Sequence, residues 1–304
     1  MLDCLSAPLR RERPCPRPSV AAEFDILCRK TRRDTWMVAS CNGGATYPGR
    51  TTMAKATLHF TRFGTGPTLV LLHGFLGGTG YWRMQQSALH HMFDVIAVDL
   101  PGFGGSANIP APDTLSGYAA AVFDLMDALE IPRFSLLGFS MGGMIAQQAV
   151  LDRPQRIAKL VLYGSSSTGE LPHRFESWSE SAKRMKSEGV ETTADRTVAT
   201  WFVDRQADPY YSLCREACRG ANEDACQIVM QAIQDWIARD RLSEMKLPTL
   251  VIVGDKDRST RVSDSLPLWE GIPDAQLCVL PNCAHGAHMQ KPALFNAIIA
   301  DFLR

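Results

Sequence analysis

Short apolar runs recur along most of the chain, separated by segments whose apolar residues return every three or four positions. Residues 57–61 (Thr-Leu-His-Phe-Thr) alternate, as a half-buried edge strand does. Residues 68–72 (Thr-Leu-Val-Leu-Leu) and 93–98 (Phe-Asp-Val-Ile-Ala-Val) are nearly continuous apolar runs, the pattern of parallel strands covered on both faces. Residues 133–137, 158–163, 249–253 and 276–280 predict four further strands. Helical character marks residues 82–91, 144–150 and 293–303 and the series Leu115, Tyr118, Val122, Leu125, Met126, Leu129. Strands alternating with helices predict an α/β fold, its mostly parallel central sheet flanked by helices and joined by right-handed crossovers.

The pattern breaks in two places. From 167 to 247 the strand runs stop, and helix formers appear with Trp178, Trp201, Tyr210, Tyr211 and Trp236. This stretch is expected to be an inserted helical cap, leaving 53–166 and 248–304 as the core. Residues 1–52 show no sustained periodicity and hold Arg10-Arg-Glu-Arg-Pro14. They are expected to be a mostly disordered extension, with Met53 as a hypothetical native start. The segment lacks the continuous apolar centre of a signal peptide, and Glu12, Glu23, Asp25 and Asp34 argue against a mitochondrial presequence.

Composition narrows the function. Apolar residues make up 45% of the 304, charged residues 21%, and formal net charge is zero. Such a chain has no basic surplus to hold a phosphate backbone, which argues against nucleic-acid partners. No apolar run approaches the roughly 18 residues of a membrane span. The nine cysteines include no Cys-x-x-Cys pair and no zinc-finger spacing. They are expected to be free thiols of a cytoplasmic protein that uses no metal. A homo-oligomer is compatible with the sequence but not specified by it.

Candidate chemistry centres on Gly138-Phe-Ser-Met-Gly142, between a strand run and a helical run. Two glycines permit a turn too tight for side chains, and the turn thrusts the Ser140 hydroxyl out of the sheet. A serine hydroxyl is a weak nucleophile and needs a base, which in turn needs an orienting acid. His285 is the best base, because it follows a C-terminal strand in the loop Pro281-Asn-Cys-Ala-His-Gly286. The acid comes from Val253-Gly-Asp-Lys-Asp257: Asp257 stands clear of the strand and is favoured, with Asp255 as the alternative that caps the turn. His73-Gly-Phe-Leu-Gly-Gly78 supplies a loop of backbone donors, in which the N–H groups of Phe75 and Met141 are placed to converge on an oxyanion. His73 itself reads as structural, His288 as a pocket or surface residue, and His90 and His91 as exposed at a helix end. Ser165-Ser-Ser167 reads as loop.

These motifs resemble the α/β-hydrolase superfamily from about Lys55 to Arg304. His73-Gly74 looks like its oxyanion loop and Asp99-Leu-Pro-Gly-Phe-Gly-Gly-Ser106 like its Asp-x-x-Gly-x-Gly-x-Ser block. Gly138-Phe-Ser-Met-Gly142 looks like the nucleophile elbow, Gly254-Asp-Lys-Asp257 like the acid loop, and His285 with Pro292 like the C-terminal histidine motif. The resemblance implies the chain order Ser140, Asp257, His285 for a catalytic triad. It leaves the substrate open, because this fold hosts many chemistries.

The expected reaction is hydrolysis of a small to medium carboxylic ester or lactone through an acyl-enzyme on Ser140, without cofactor or metal. Met141-Gly-Gly-Met144 is similar to 3-oxoadipate enol-lactonases. Ser-Met-Gly-Gly also resembles carbon–carbon bond hydrolases of aromatic degradation, many of which carry Trp after the catalytic histidine where Gly286 stands here. Cofactor-free perhydrolases share Gly-Phe-Ser-Met-Gly-Gly. A small-molecule receptor with slow turnover is the alternative from outside enzymology.

Overall fold

The computed structural model describes residues 57–173 and 176–304, so the expectations for residues 1–52 lie outside the described residues. Seven strands form one sheet: β1 (Phe60–Phe63), β2 (Thr68–Leu72), β3 (Asp94–Val98), β4 (Phe134–Phe139), β5 (Ile157–Tyr163), β6 (Thr249–Gly254) and β7 (Gln276–Leu280). Their spatial order is β1-β3-β2-β4-β5-β6-β7. Only β1 runs antiparallel, pairing Phe60 with Val98 on β3. The edge position suits a strand whose residues are half-buried or exposed. Arg62 on β1 grips Asp94 at the start of β3 with two bonds of 2.8 Å. This pairing accounts for a carboxylate that is almost wholly buried.

The central strands β2, β3 and β6 are buried along nearly their whole length, because helices cover both faces of the sheet. These helices are α1 (Arg83–Leu89), α2 (Leu115–Ala128), α3 (Met141–Asp152), α7 (Val262–Gly271), α8 (Ala287–Gln290) and α9 (Pro292–Leu303). Thr114 caps α2 by accepting from the Gly117 N–H. Pro292 opens α9 where a missing N–H costs nothing. The helix expected over 82–91 begins instead as a 3-10 turn at Thr79–Trp82.

Strand order reverses between β2 and β4. The chain leaves β2 for β3 on one side and returns to β4 on the other. Loops at the carboxyl ends of two such strands diverge and leave a crevice, where open α/β sheets bind ligands. The loops after β2, β4, β5, β6 and β7 all emerge at this edge, since these strands are parallel.

Between β5 and β6 lie α4 (Trp178–Thr200), α5 (Tyr211–Ala217) and α6 (Glu223–Gln234), with α4 bent at Gly189. The neck of this insertion is closed by backbone bonds: Ala238 N–H to the Ser167 carbonyl at 2.9 Å and Gly169 N–H to the Trp236 carbonyl at 3.1 Å. Thr168 and Ile237 form an antiparallel bridge there. Among the described residues no helix is long and apolar enough to cross a membrane.

Candidate active site

Ser140 joins β4 to α3 with φ 55° and ψ −118°, a conformation that L-residues adopt only under constraint. The constraint is visible. Its N–H donates to the Tyr163 carbonyl at 2.8 Å, and its carbonyl accepts from the Gly143 N–H at 2.8 Å and from Ser165 Oγ at 2.9 Å. A Cβ on Gly138 would lie 2.2 Å from the Gly142 carbonyl oxygen, and one on Gly142 would lie 2.5 Å from that of Leu72. Both positions therefore require glycine. The Met141 N–H opens α3 and has no acceptor within the helix.

The loop after β2 presses on this elbow: a Cβ on Gly74 would stand 3.1 Å from Ser140 Cβ. Phe75 follows directly. His73 holds the loop in place. Its Nδ1 lies 2.8 Å from the Gly74 carbonyl and its Nε2 lies 3.0 Å from the Leu100 N–H. A carbonyl only accepts and an amide only donates, so the ring is neutral with its proton on Nδ1. Burial pushes its pKa below the ordinary value, in keeping with a neutral ring. Asp99 braces the far end of the loop by accepting from the N–H groups of Thr79 (2.5 Å) and Gly105 (2.8 Å).

His285 follows β7 and Asp257 follows β6. Their side chains meet at 2.6 Å between Nδ1 and Oδ2, both all but inaccessible to solvent. The other carboxylate oxygen of Asp257 accepts from the N–H groups of Ser259 (2.8 Å) and Thr260 (2.9 Å), so the group cannot turn away. The imidazole packs 4.6 Å from the ring of Phe139, the residue before Ser140, and 5.7 Å from that of Trp201. Gly164 leaves room for it, since a Cβ there would come within 3.2 Å of the ring. Asp255 is exposed and points elsewhere, accepting from the Cys283 N–H at 3.2 Å and pairing with Lys256 at 3.4 Å. Although desolvation opposes them, these contacts hold its pKa below the ordinary value.

His288 is fully buried, not a pocket or surface residue. It sits among Trp82, Phe139, Tyr163 and Phe295. Burial, and then the neighbouring His285, push its pKa down to about 3. His91 is exposed, whereas His90 is half-buried and bonds the Ser87 carbonyl through Nδ1 at 2.9 Å. Several supporting residues carry no sequence signal. Tyr163 donates its hydroxyl proton to the His285 carbonyl, and Ser165 braces the elbow.

This edge of the sheet presents a strained serine, a histidine–carboxylate pair and a backbone loop. Residues 67–292 match the alpha/beta hydrolase fold family, and the chain belongs to it. Among its relatives, a 2-hydroxy-6-oxo-6-phenylhexa-2,4-dienoate hydrolase of Comamonas testosteroni is 32% identical over 81% of this chain and 91% of its own. The 3-oxoadipate enol-lactonase 2 of Acinetobacter baylyi is 25% identical over 83% of this chain and 95% of its own. A thermophilic esterase structure from Thermogutta terrifontis superposes with a TM-score of 0.75 at 27% identity, covering 81% of this chain and 93% of that one.

Proposed function

We propose that the protein is a serine hydrolase that cleaves a small to medium carboxylic ester or lactone. The observation that carries this reading is the buried 2.6 Å pairing of His285 with Asp257, its imidazole packed on Phe139, the residue before the strained Ser140. Ser140 Oγ attacks the substrate carbonyl while His285 Nε2 takes its proton. Asp257 keeps the other imidazole proton on Nδ1 and stabilises the charged ring that forms. The N–H groups of Phe75 and Met141 bind the oxyanion, each worth about 10²–10³ in rate. His285 returns its proton to the departing alkoxide and then activates water to release the acyl group. Residues 167–247 act as a cap over the site, with Trp201 beside the imidazole. Cys214, Cys218, Cys226, Cys278 and Cys283 are free thiols, which suits a reducing cytoplasm.

A second reading is favoured by the Comamonas testosteroni relative: hydrolysis of a carbon–carbon bond in a vinylogous diketone by the same residues. A panel of p-nitrophenyl esters, lactones and vinylogous diketones separates the two. The ester or lactone reading predicts turnover of the first two classes and its loss in Ser140→Ala. Turnover of the diketones alone would replace it with the second reading, and equal rates for wild type and Ser140→Ala would overturn both.

A further inference from the structure

The backbone on either side of His285 is held from the insertion. The Gly286 N–H donates to the Trp201 carbonyl at 2.7 Å. The Ala284 N–H donates to Gln290 Oε1 at 2.8 Å, and Gln290 Nε2 donates to Asp208 Oδ2 at 2.9 Å. Trp201 and Asp208 lie in the short segment between α4 and α5. Arg258, next to Asp257, anchors the same segment by donating to the Phe202 carbonyl at 3.1 Å. The packing at this contact is close. A Cβ on Gly286 would lie 3.0 Å from a ring carbon of Phe202, which accounts for glycine immediately after the histidine.

We propose that Gln290 and Asp208 are positioning residues for His285, so that the insertion sets the base through the series Asp208–Gln290–Ala284. The proposal rests on His285 being the base of the reaction above. Both ends of the Gln290 amide are fixed by their partners: its oxygen must face an amide donor and its nitrogen a carboxylate. Neither Leu nor Glu satisfies both. Asp208 is buried, and its second oxygen accepts from the Tyr210 N–H at 2.9 Å, just before α5. Turn formation explains that oxygen. It does not explain the oxygen turned to Gln290, nor the bond that Gln290 accepts from the Ala284 N–H. Asp257 fixes one side of the imidazole, but the reach of Nε2 toward Ser140 also depends on where the loop holds the His285 backbone. A displacement of about 1 Å in such a geometry costs on the order of 10²-fold in rate.

The test uses the full chain with a p-nitrophenyl ester and the variants Gln290→Leu, Asp208→Asn, their combination, and Ser140→Ala. In Asp208→Asn the acceptor oxygen stays with the Tyr210 N–H and an amide nitrogen then faces Gln290. Each single change is expected to lower kcat by about 10- to 100-fold with KM within about twofold. The double variant is expected to fall no lower than the worse single one, because the two residues act in series. The low-field NMR signal of the His285 Nδ1 proton is expected to broaden at temperatures where every variant remains folded, which lost stability alone would not cause. Wild-type kcat in Gln290→Leu beside an inactive Ser140→Ala would overturn the positioning role alone, as would additive losses in the double variant. Full activity in Ser140→Ala would overturn the triad on which the proposal rests.

Discussion

Replacing Asp257 by Asn tests the proposed role of His285 as the base. The two N–H groups of Ser259 and Thr260 bind one carboxylate oxygen and will keep the amide oxygen of the replacement. The amide nitrogen must then face His285 Nδ1, where an oxygen stood at 2.6 Å. Two donors cannot share that gap, so the imidazole moves its proton to Nε2. A ring protonated at Nε2 cannot accept the proton of Ser140. Loss of the correct tautomer in a triad costs about 10⁴-fold in kcat, or about 5 kcal/mol of transition-state stabilisation. The same change at Asp255 removes half of an exposed carboxylate that never reaches the ring. It should leave kcat within about threefold, in line with the roughly 0.5 kcal/mol of ordinary surface substitutions. Both variants are assayed on one p-nitrophenyl ester between neutral and mildly alkaline pH. A larger loss in Asp255→Asn than in Asp257→Asn would move the orienting acid to Asp255.

Two further outcomes follow from the packing. Gly142→Ala places a methyl 2.5 Å from the Leu72 carbonyl oxygen, which should lower stability by about 1–3 kcal/mol and depress activity. An unchanged urea midpoint with normal turnover would contradict the tight elbow. His288 must be neutral to fold: its pKa of about 3 lies below the ordinary 6.5, so between those values the unfolded chain binds a proton that the folded chain refuses. Stability therefore falls as pH drops below 6.5, by about 2 kcal/mol at about pH 5 from this group alone. His73 acts in the same direction. Urea midpoints at neutral pH and near pH 5 test the sign, and His288→Gln should flatten the dependence. Stability that is flat or rises on acidification would refute it.

The sheet was legible because buried parallel strands are continuous apolar runs, and β2 occupies 68–72 as the run predicts. Boundaries moved where pairing, not composition, sets them. β1 begins at Phe60 because its ladder with β3 starts at the pair with Val98, while His59 turns its ring to Asp99 at 2.6 Å. β4 extends to Phe139 because β5 offers Tyr163 as a partner. α7 had no clear signal, since Pro267 lies within it and only Ser265 and Leu268 are buried along it. Ser140, His285 and the Asp255–Asp257 loop stood out because each sits in a short motif at a strand end. Gln290 and Asp208 did not. They meet across 82 positions, and only folding brings a glutamine amide at the end of a short helix against a carboxylate from the insertion. His288 resembled a pocket residue by its nearness to His285, yet the short helix α8 turns it into the core.

The reaction proposed above passes through a covalent acyl group on Ser140. Mixing the protein with a slowly deacylating ester, quenching in acid and mapping peptides by mass spectrometry tests it most directly. An acyl mass increment is expected on the peptide holding Ser140, absent in Ser140→Ala, whose turnover also ceases. Sustained ester cleavage by Ser140→Ala, or an increment on some other residue alone, would contradict it.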